Sequence, residues 1–210
     1  NGGNINFSII TQTMVGGIDN YSMLAVPLFV LAGNIMNFGG VTNRIFRFCS
    51  AMVGHVPGGL GQVNVLASMV FAGMSGSGTA DAAGLGKIEI EAMKQEGYDV
   101  GFSAAVTAAS ACIGPIIPPS IRAVVYAVQA GVSTGALFAA GLVPGVLMGL
   151  AQMVMCYFLG KKYGYFQPKA TRDQKWKSFV SAIPALFAPV LIIGGSFSGF
   201  FTPTEAAAIT

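Results

Sequence analysis

An all-α integral membrane protein, with two of its membrane segments interrupted by irregular backbone, is the fold class that these 210 residues predict. The first observation is composition. Hydrophobic residues make up 53% and charged residues 9%, with a mean hydropathy of +0.67, whereas soluble domains carry about 25% charged residues. The second is clustering. No Asp, Glu, Lys or Arg occurs in 20–43, 48–80, 100–121, 123–160 or 178–204, and each stretch reaches the roughly 20 residues that a helical crossing needs. The third is that Ser75-Gly-Ser-Gly-Thr79 and Gly114-Pro-Ile-Ile-Pro118-Pro119-Ser120, both helix-breaking, fall inside apolar stretches. A soluble enzyme, a nucleic-acid binder and a disulfide-stapled secreted domain are excluded on composition alone.

Along the chain, 1–21 is mildly polar and suits an interfacial approach. The first crossing is 22–38, short and carrying Pro27. Arg44, Arg47 and His55 stand among apolar residues in 39–58, so that segment is expected along a membrane face. The stretch 59–93 is broken at 75–79 and runs into a charged turn over 87–99. A second broken segment, 100–130, is interrupted at Pro118-Pro119. The crossing 134–160 carries Gly141, Gly145 and Gly149 at four-residue spacing, which lets a neighbouring helix approach closely. A further crossing covers 179–201, and Thr202-Pro-Thr-Glu205 reads as a new helix start with Thr202 as cap and Glu205 reaching back. Cys49, Cys112 and Cys156 have no paired spacing and read as small packing residues. The chain starts without Met and stops at a helix start, as a fragment would.

Orientation follows from charge. Lys161, Lys162, Lys169, Arg172, Lys175 and Lys177 stand against Asp173 alone in the loop 161–178, flanked by Tyr157, Tyr163, Tyr165, Phe166 and Trp176. This is a positive-inside loop with interfacial aromatics, not a nucleic-acid patch. With it in the cytoplasm, 134–160 descends, 100–130 rises, and 87–99 is cytoplasmic. Arg44 and Arg47 place 39–58 on the same side. Both flanks of 59–86 then share one side, which favours a re-entrant hairpin with 75–79 at its tip. The alternative, a straight crossing, would place either the two arginines or the six-charge loop outside.

Irregular backbone at membrane depth survives only where protein or a water-filled cavity satisfies it. Paired unwound segments are a recurrent way to build transporter ion and substrate sites: helix N-termini face anions, while freed carbonyls and hydroxyls hold Na⁺. Ser75, Ser77, Thr79 and Ser120, with carbonyls at Gly76 and Gly114, supply the hard oxygens that such a cation prefers. Asp81 is an ionisable residue within an apolar hairpin and thereby a functional candidate. Pro118-Pro119 frees carbonyls by removing two donors. Arg122, two residues beyond Ser120, offers a carboxylate a bidentate partner.

At these residues the chain resembles a known family. Ser75-Gly-Ser-Gly-Thr-Ala-Asp81-Ala-Ala83 looks like the hairpin motif of the large membrane (permease) subunit of tripartite ATP-independent periplasmic (TRAP) transporters, the DctM family. Gly114-Pro-Ile-Ile-Pro-Pro-Ser-Ile121 matches its second break, and Gly199 to Ala208 its Thr-Pro-Thr-Glu segment. The resemblance implies the first inverted repeat of an elevator-type, Na⁺-driven transporter for a small organic acid such as a C4-dicarboxylate or sialic acid. It implies Na⁺ at Ser75, Ser77, Gly114 and Ser120, with Gly76 and Thr79 alongside, and substrate near Asp81, Pro118, Pro119 and Arg122. The implied partners are a small DctQ-type membrane subunit, a periplasmic DctP-type binding protein and the lipid bilayer, with no cofactor beyond the coupling ion. The implied location is a bacterial or archaeal cytoplasmic (inner) membrane. Arg122 departs from the family, which commonly has a small residue or proline there.

Two other classes compete. Gly73-Met-Ser75-Gly76 spells the GxSG of intramembrane serine proteases, but such a nucleophile needs a histidine base, and the sole histidine is His55. A non-transporting structural membrane subunit leaves both backbone breaks without a purpose.

Overall fold

The computed structural model describes residues 7–198 and 200–209, and every regular element among them is helical. In order these are α1 (Phe7–Ile18), a 3-10 turn (Tyr21–Leu24) leading into α2 (Ala25–Phe38), α3 (Val41–Val53), α4 (Leu60–Ser75), α5 (Gly78–Gln95), α6 (Val100–Ala111), α7 (Ile121–Ala130), α8 (Thr134–Tyr163), α9 (Arg172–Ser198) and α10 (Pro203–Ile209). Tyr21–Phe38, α8 and most of α9 are long and apolar enough to cross a bilayer. Of the approach expected over 1–21, residues 1–6 lie outside the described residues, and the rest is largely α1.

Why the long helices hold in an apolar solvent is clearest in α8. Lipid is as apolar as leucine, so burial gives little drive and close packing must replace it. Val143, Leu147, Leu150, Val154 and Phe158 are at least half exposed on one face, where lipid would cover them. The other face is the glycine stripe. A methyl group on Gly141 would strike the Ile116 carbonyl, on Gly145 the Ile117 side chain, and on Gly149 the Met69 sulfur. The expected close approach is real: the broken segment between α6 and α7 approaches at Gly141 and Gly145, and α4 at Gly149.

The centre is the pair α4 and α5, joined by a two-residue turn and packed side by side. Gly76 ends α4 in the left-handed conformation at φ 58°, and Ser77 caps α5 by accepting from the Ala80 amide at 3.4 Å. At the far end the two arms are tied together. The Leu60 amide donates to the Tyr98 hydroxyl at 3.0 Å, Tyr98 donates to the Gly58 carbonyl, and its ring stacks on Tyr165 with 3.9 Å between centroids. Gln62 reaches across to donate to the Met153 carbonyl of α8 at 2.9 Å.

Three expectations need correction. The charged turn over 87–99 is mostly helix, because α5 continues to Gln95 and the turn is confined to 96–99. Its charges alternate with the helix period: Lys87, Glu91 and Lys94 face out, while Glu89 and Met93 face in. The basic loop is likewise shorter than 161–178, since α8 extends to Tyr163 and α9 starts at Arg172. Cys49 and Cys156 are buried as expected of packing residues, but Cys112, just beyond α6, is exposed.

Candidate functional site

Four helix ends meet where the two breaks meet. The C-termini of α4 and α6 bring carbonyl ends, those of Ala109, Ser110 and Ala111 already accepting from the Cys112, Ile113 and Gly114 amides, and the N-termini of α5 and α7 bring amides capped by Ser77 and Ser120. The Ile121 amide donates to the Gly76 carbonyl at 3.4 Å, which joins the hairpin tip to the broken helix directly. Ser120 donates to the Pro115 carbonyl and accepts from the Ala123 amide at 3.2 Å. Backbone approaches backbone throughout: a Cβ on Gly114 would sit 3.2 Å from the Gly78 nitrogen, and one on Gly76 would sit 2.5 Å from the Pro119 carbonyl oxygen. At Gly76 only glycine fits, and at Gly114 a side chain would push the two backbones apart by a few tenths of an ångström.

Ser75 is buried, and its hydroxyl makes only long contacts, to the Ser77 carbonyl at 3.5 Å and from the Ser77 amide at 3.4 Å. The Ser77 and Thr79 hydroxyls are 2.9 Å apart. Pro118, Pro119 and Ser120 are buried and form the wall shared by the two breaks. The opposed helix dipoles make this a place where carbonyls and hydroxyls suit a hard cation and the amide ends suit an anion.

Of the expected set, Ser75, Ser77, Thr79 and Arg122 line two cavities, one on each side of the tip. One, of about 260 Å³, lies between α2 and the tip and is lined by Phe29, Gly33, Asn34, Ser75, Ser77 and Ile121. The other, of about 410 Å³, lies on the opposite side of the tip, with Thr79, Cys112, Pro115 and Arg122. Arg122 is exposed there. Asp81 lines neither cavity. It is 1% exposed, its carboxylate oxygens have no hydrogen bond within 3.5 Å, and the Ser68 hydroxyl that approaches it donates instead to Ser110.

Asp81 points towards a polar seam that the motifs do not announce. Asn64 Nδ2 donates to Thr107 Oγ1 at 2.7 Å, and Ser110 Oγ donates to Asn64 Oδ1 at 2.7 Å. Asn64, Ser68, Thr107 and Ser110 are all buried between α4 and α6. The available signal was Asn64 and Ser68 at i, i+4 within an apolar helix, with Thr107 and Ser110 at i, i+3 on its neighbour. His55 lies before the start of α4 and Ser75 at its end, a separation of about 22 Å along the helix. No histidine of this chain stands beside Ser75, and the protease reading is not favoured.

The family model for the "Tripartite ATP-independent periplasmic transporter, DctM component" matches residues 2–210. The chain is 53% identical over 207 residues to the sialic acid TRAP transporter large permease protein SiaM of Vibrio cholerae, covering 98% of this chain and 48% of that protein. It is 47% identical over 202 residues to the 2,3-diketo-L-gulonate TRAP transporter large permease protein YiaN of Escherichia coli, covering 96% and 48%. It is 43% identical over 192 residues to the C4-dicarboxylate TRAP transporter large permease protein DctM of Pseudomonas aeruginosa, covering 91% and 45%. The chain thus spans about half the length of these relatives. With the paired breaks, the glycine-lined contacts and the match over nearly its whole length, the chain belongs to the DctM family, the large permease subunits of TRAP transporters.

Proposed function

We propose that the protein to which this chain belongs couples Na⁺ entry to the uptake of a small organic acid, with Na⁺ held between the hairpin tip and the first broken helix. The observation that carries this reading is the joining of the two breaks through the Ile121 amide and Gly76 carbonyl, beside the underused Ser75 hydroxyl. Na⁺ would be held by Ser75, Ser77 and Ser120 hydroxyls and by carbonyls near Gly76 and Gly114, with Thr79 bracing Ser77. Filling the site would fix the tip against the break. The positive ends of α5 and α7 would then favour a carboxylate, and Arg122 would add a charged, forked donor on the Thr79 side.

The substrate class rests on chemistry shared by these three relatives' names: sialic acid, diketogulonate and C4-dicarboxylate all bear a carboxylate. We further read the α4–α5 pair as re-entrant and open to the cytoplasm, within an inverted-repeat, elevator-type carrier in a bacterial inner membrane. A small membrane subunit and a periplasmic binding protein are the partners this reading requires. The tie between Tyr98 and Gly58–Leu60 supports the hairpin, since it holds both arms at one end.

Two experiments test this. In proteoliposomes holding the full-length permease, its small subunit and its binding protein, Ser75→Ala is expected to raise the Na⁺ concentration for half-maximal uptake. Unchanged Na⁺ dependence in Ser75→Ala and Ser120→Ala would move the site elsewhere. Single cysteines replacing the exposed Met52 and Glu96 should react with an impermeant maleimide from the same side, and opposite sides would end the re-entrant reading.

A further inference from the structure

Glu89 has no part in the site described above, and like Asp81 it is a buried carboxylate without a hydrogen-bond partner. It sits on α5 eight residues beyond Asp81, about 12 Å further along the axis and away from the tip. It is 1% exposed, and neither of its carboxylate oxygens has a hydrogen-bond partner. Leu85 and Met93, one turn to either side, are fully buried, and so is Cys49 from α3.

Each helix packed against α5 can be searched for a counter-charge. Leu60–Ser75 and Val100–Ala111 contain no ionisable residue at all. From α3, Cys49 lies within electrostatic range of Glu89, while Arg44 and Arg47 are exposed. On α5 itself Lys87 and Lys94 face outward, and Asp81, the other buried acid, would repel an ionised Glu89. An ionised carboxylate buried without a partner is among the most costly arrangements a protein can hold. Glu89 is sealed by this chain's own atoms, so a cation from another segment or subunit has no access without repacking. With no donor or acceptor at hydrogen-bond distance, there is no shell for a metal ion either. A proton is the one ligand that needs neither room nor further oxygens.

We propose that Glu89 is a proton-binding site inside the helical hairpin, occupied when the hairpin is packed and distinct from the cation ligands at the tip. Protonated, the side chain is a small neutral acid among Leu85, Met93 and Cys49, and the packing of α5 on α4 and α6 is undisturbed. Deprotonated, it leaves a bare charge in a dry seam, so alkaline pH works against the packed hairpin. Glu89 lies six residues from the exposed end of α5, about 9 Å, and proton exchange occurs from that end when the last turns open.

The direct test is difference infrared spectroscopy on the purified full-length permease with its small subunit at neutral pH. Wild type is expected to show a carboxylic-acid C=O band that Glu89→Gln removes and Ser75→Ala keeps. Absence of a Glu89-dependent acid band, or a carboxylate band in its place, overturns the proposal. The band is read without substrate or a Na⁺ gradient, so losing it would leave the transport reading standing. The second readout is thermal-unfolding midpoint against pH. Wild type should lose stability as pH rises above the free glutamate carboxyl's range, about 4.3, while Glu89→Gln, a neutral isostere, should lose less. Parallel slopes overturn the proposal. Glu89→Leu, also neutral, serves as the second variant: both should reach the membrane at near wild-type abundance, whereas collapse of both would show a charged, partnered Glu89 and refute the site.

Discussion

Replacing Gly76 by alanine isolates the contact on which the coupling site depends. Two costs arise, and they can be separated. Gly76 has φ 58°, a left-handed conformation that costs an L-residue about 1–2 kcal/mol. Its new Cβ would also sit 2.5 Å from the Pro119 carbonyl oxygen and 3.1 Å from the Ile121 nitrogen, both backbone atoms of the second break. Backbone cannot swing aside as a side chain can, so the tip and the break must part, at about 1–3 kcal/mol for overpacking. Gly97 supplies the control. Its φ is 78°, and a Cβ there meets nothing within 4 Å, so Gly97→Ala carries the conformational cost without the clash. If the clash falls on the geometry of the cation ligands, and 1.4 kcal/mol is a factor of ten, half-saturating Na⁺ should rise about 5- to 150-fold in Gly76→Ala. In Gly97→Ala it should stay within about twofold. The assay is Na⁺-dependent uptake in proteoliposomes at matched permease abundance. Equal Na⁺ dependence in the two variants, both folded, would refute the claim that the Gly76–Pro119 apposition builds the site.

Three further outcomes follow from the same geometry. Gly145→Ala should lower the thermal-unfolding midpoint by overpacking against Ile117, about 1–3 kcal/mol, whereas Gly16→Ala, in open space on α1, should be neutral or mildly stabilising. Asn64→Ala should destabilise by about 2–4 kcal/mol, seen as reduced membrane abundance, because it takes the donor from the buried Thr107 hydroxyl and one of two acceptors from Ser110. Arg122→Gln should weaken uptake at normal abundance with little change in half-saturating Na⁺, and Arg122→Lys should fall between; normal transport by the glutamine variant would make Arg122 a bystander.

Much of this architecture was legible because its causes are one-dimensional. A run free of charge can be counted, and 134–160 accordingly became α8, three residues longer than expected. Clusters such as Ser75–Thr79 and Gly114–Ser120 stop a helix by local chemistry alone, and both segments do interrupt helices. The capping of α10 was equally local: Glu205 accepts from the Thr202 amide at 2.8 Å and hydroxyl at 2.9 Å. What escaped was direction. Counting charges over 87–99 suggested a turn, but those residues obey a helical period that turns Glu89 inward. Asp81 and Arg122 stand close to the two breaks in sequence, yet one points into the α4–α6 seam and the other into an open cavity. Which way a first-turn side chain points depends on the neighbouring helix, and no spacing rule contains that helix. Asn64 and Ser68 were overlooked for a related reason: a polar residue in an apolar helix gains meaning only when its partner is known.

The most direct test is the electron cryo-microscopy structure of the full-length permease with its small subunit, determined in Na⁺ and again with choline replacing Na⁺. A compact density peak is expected in Na⁺, enclosed by the Ser75, Ser77 and Ser120 hydroxyls and the carbonyls near Gly76 and Gly114, and absent in choline. Identical maps around the joined breaks, with the Ser75 hydroxyl contacting only protein in both, would contradict it.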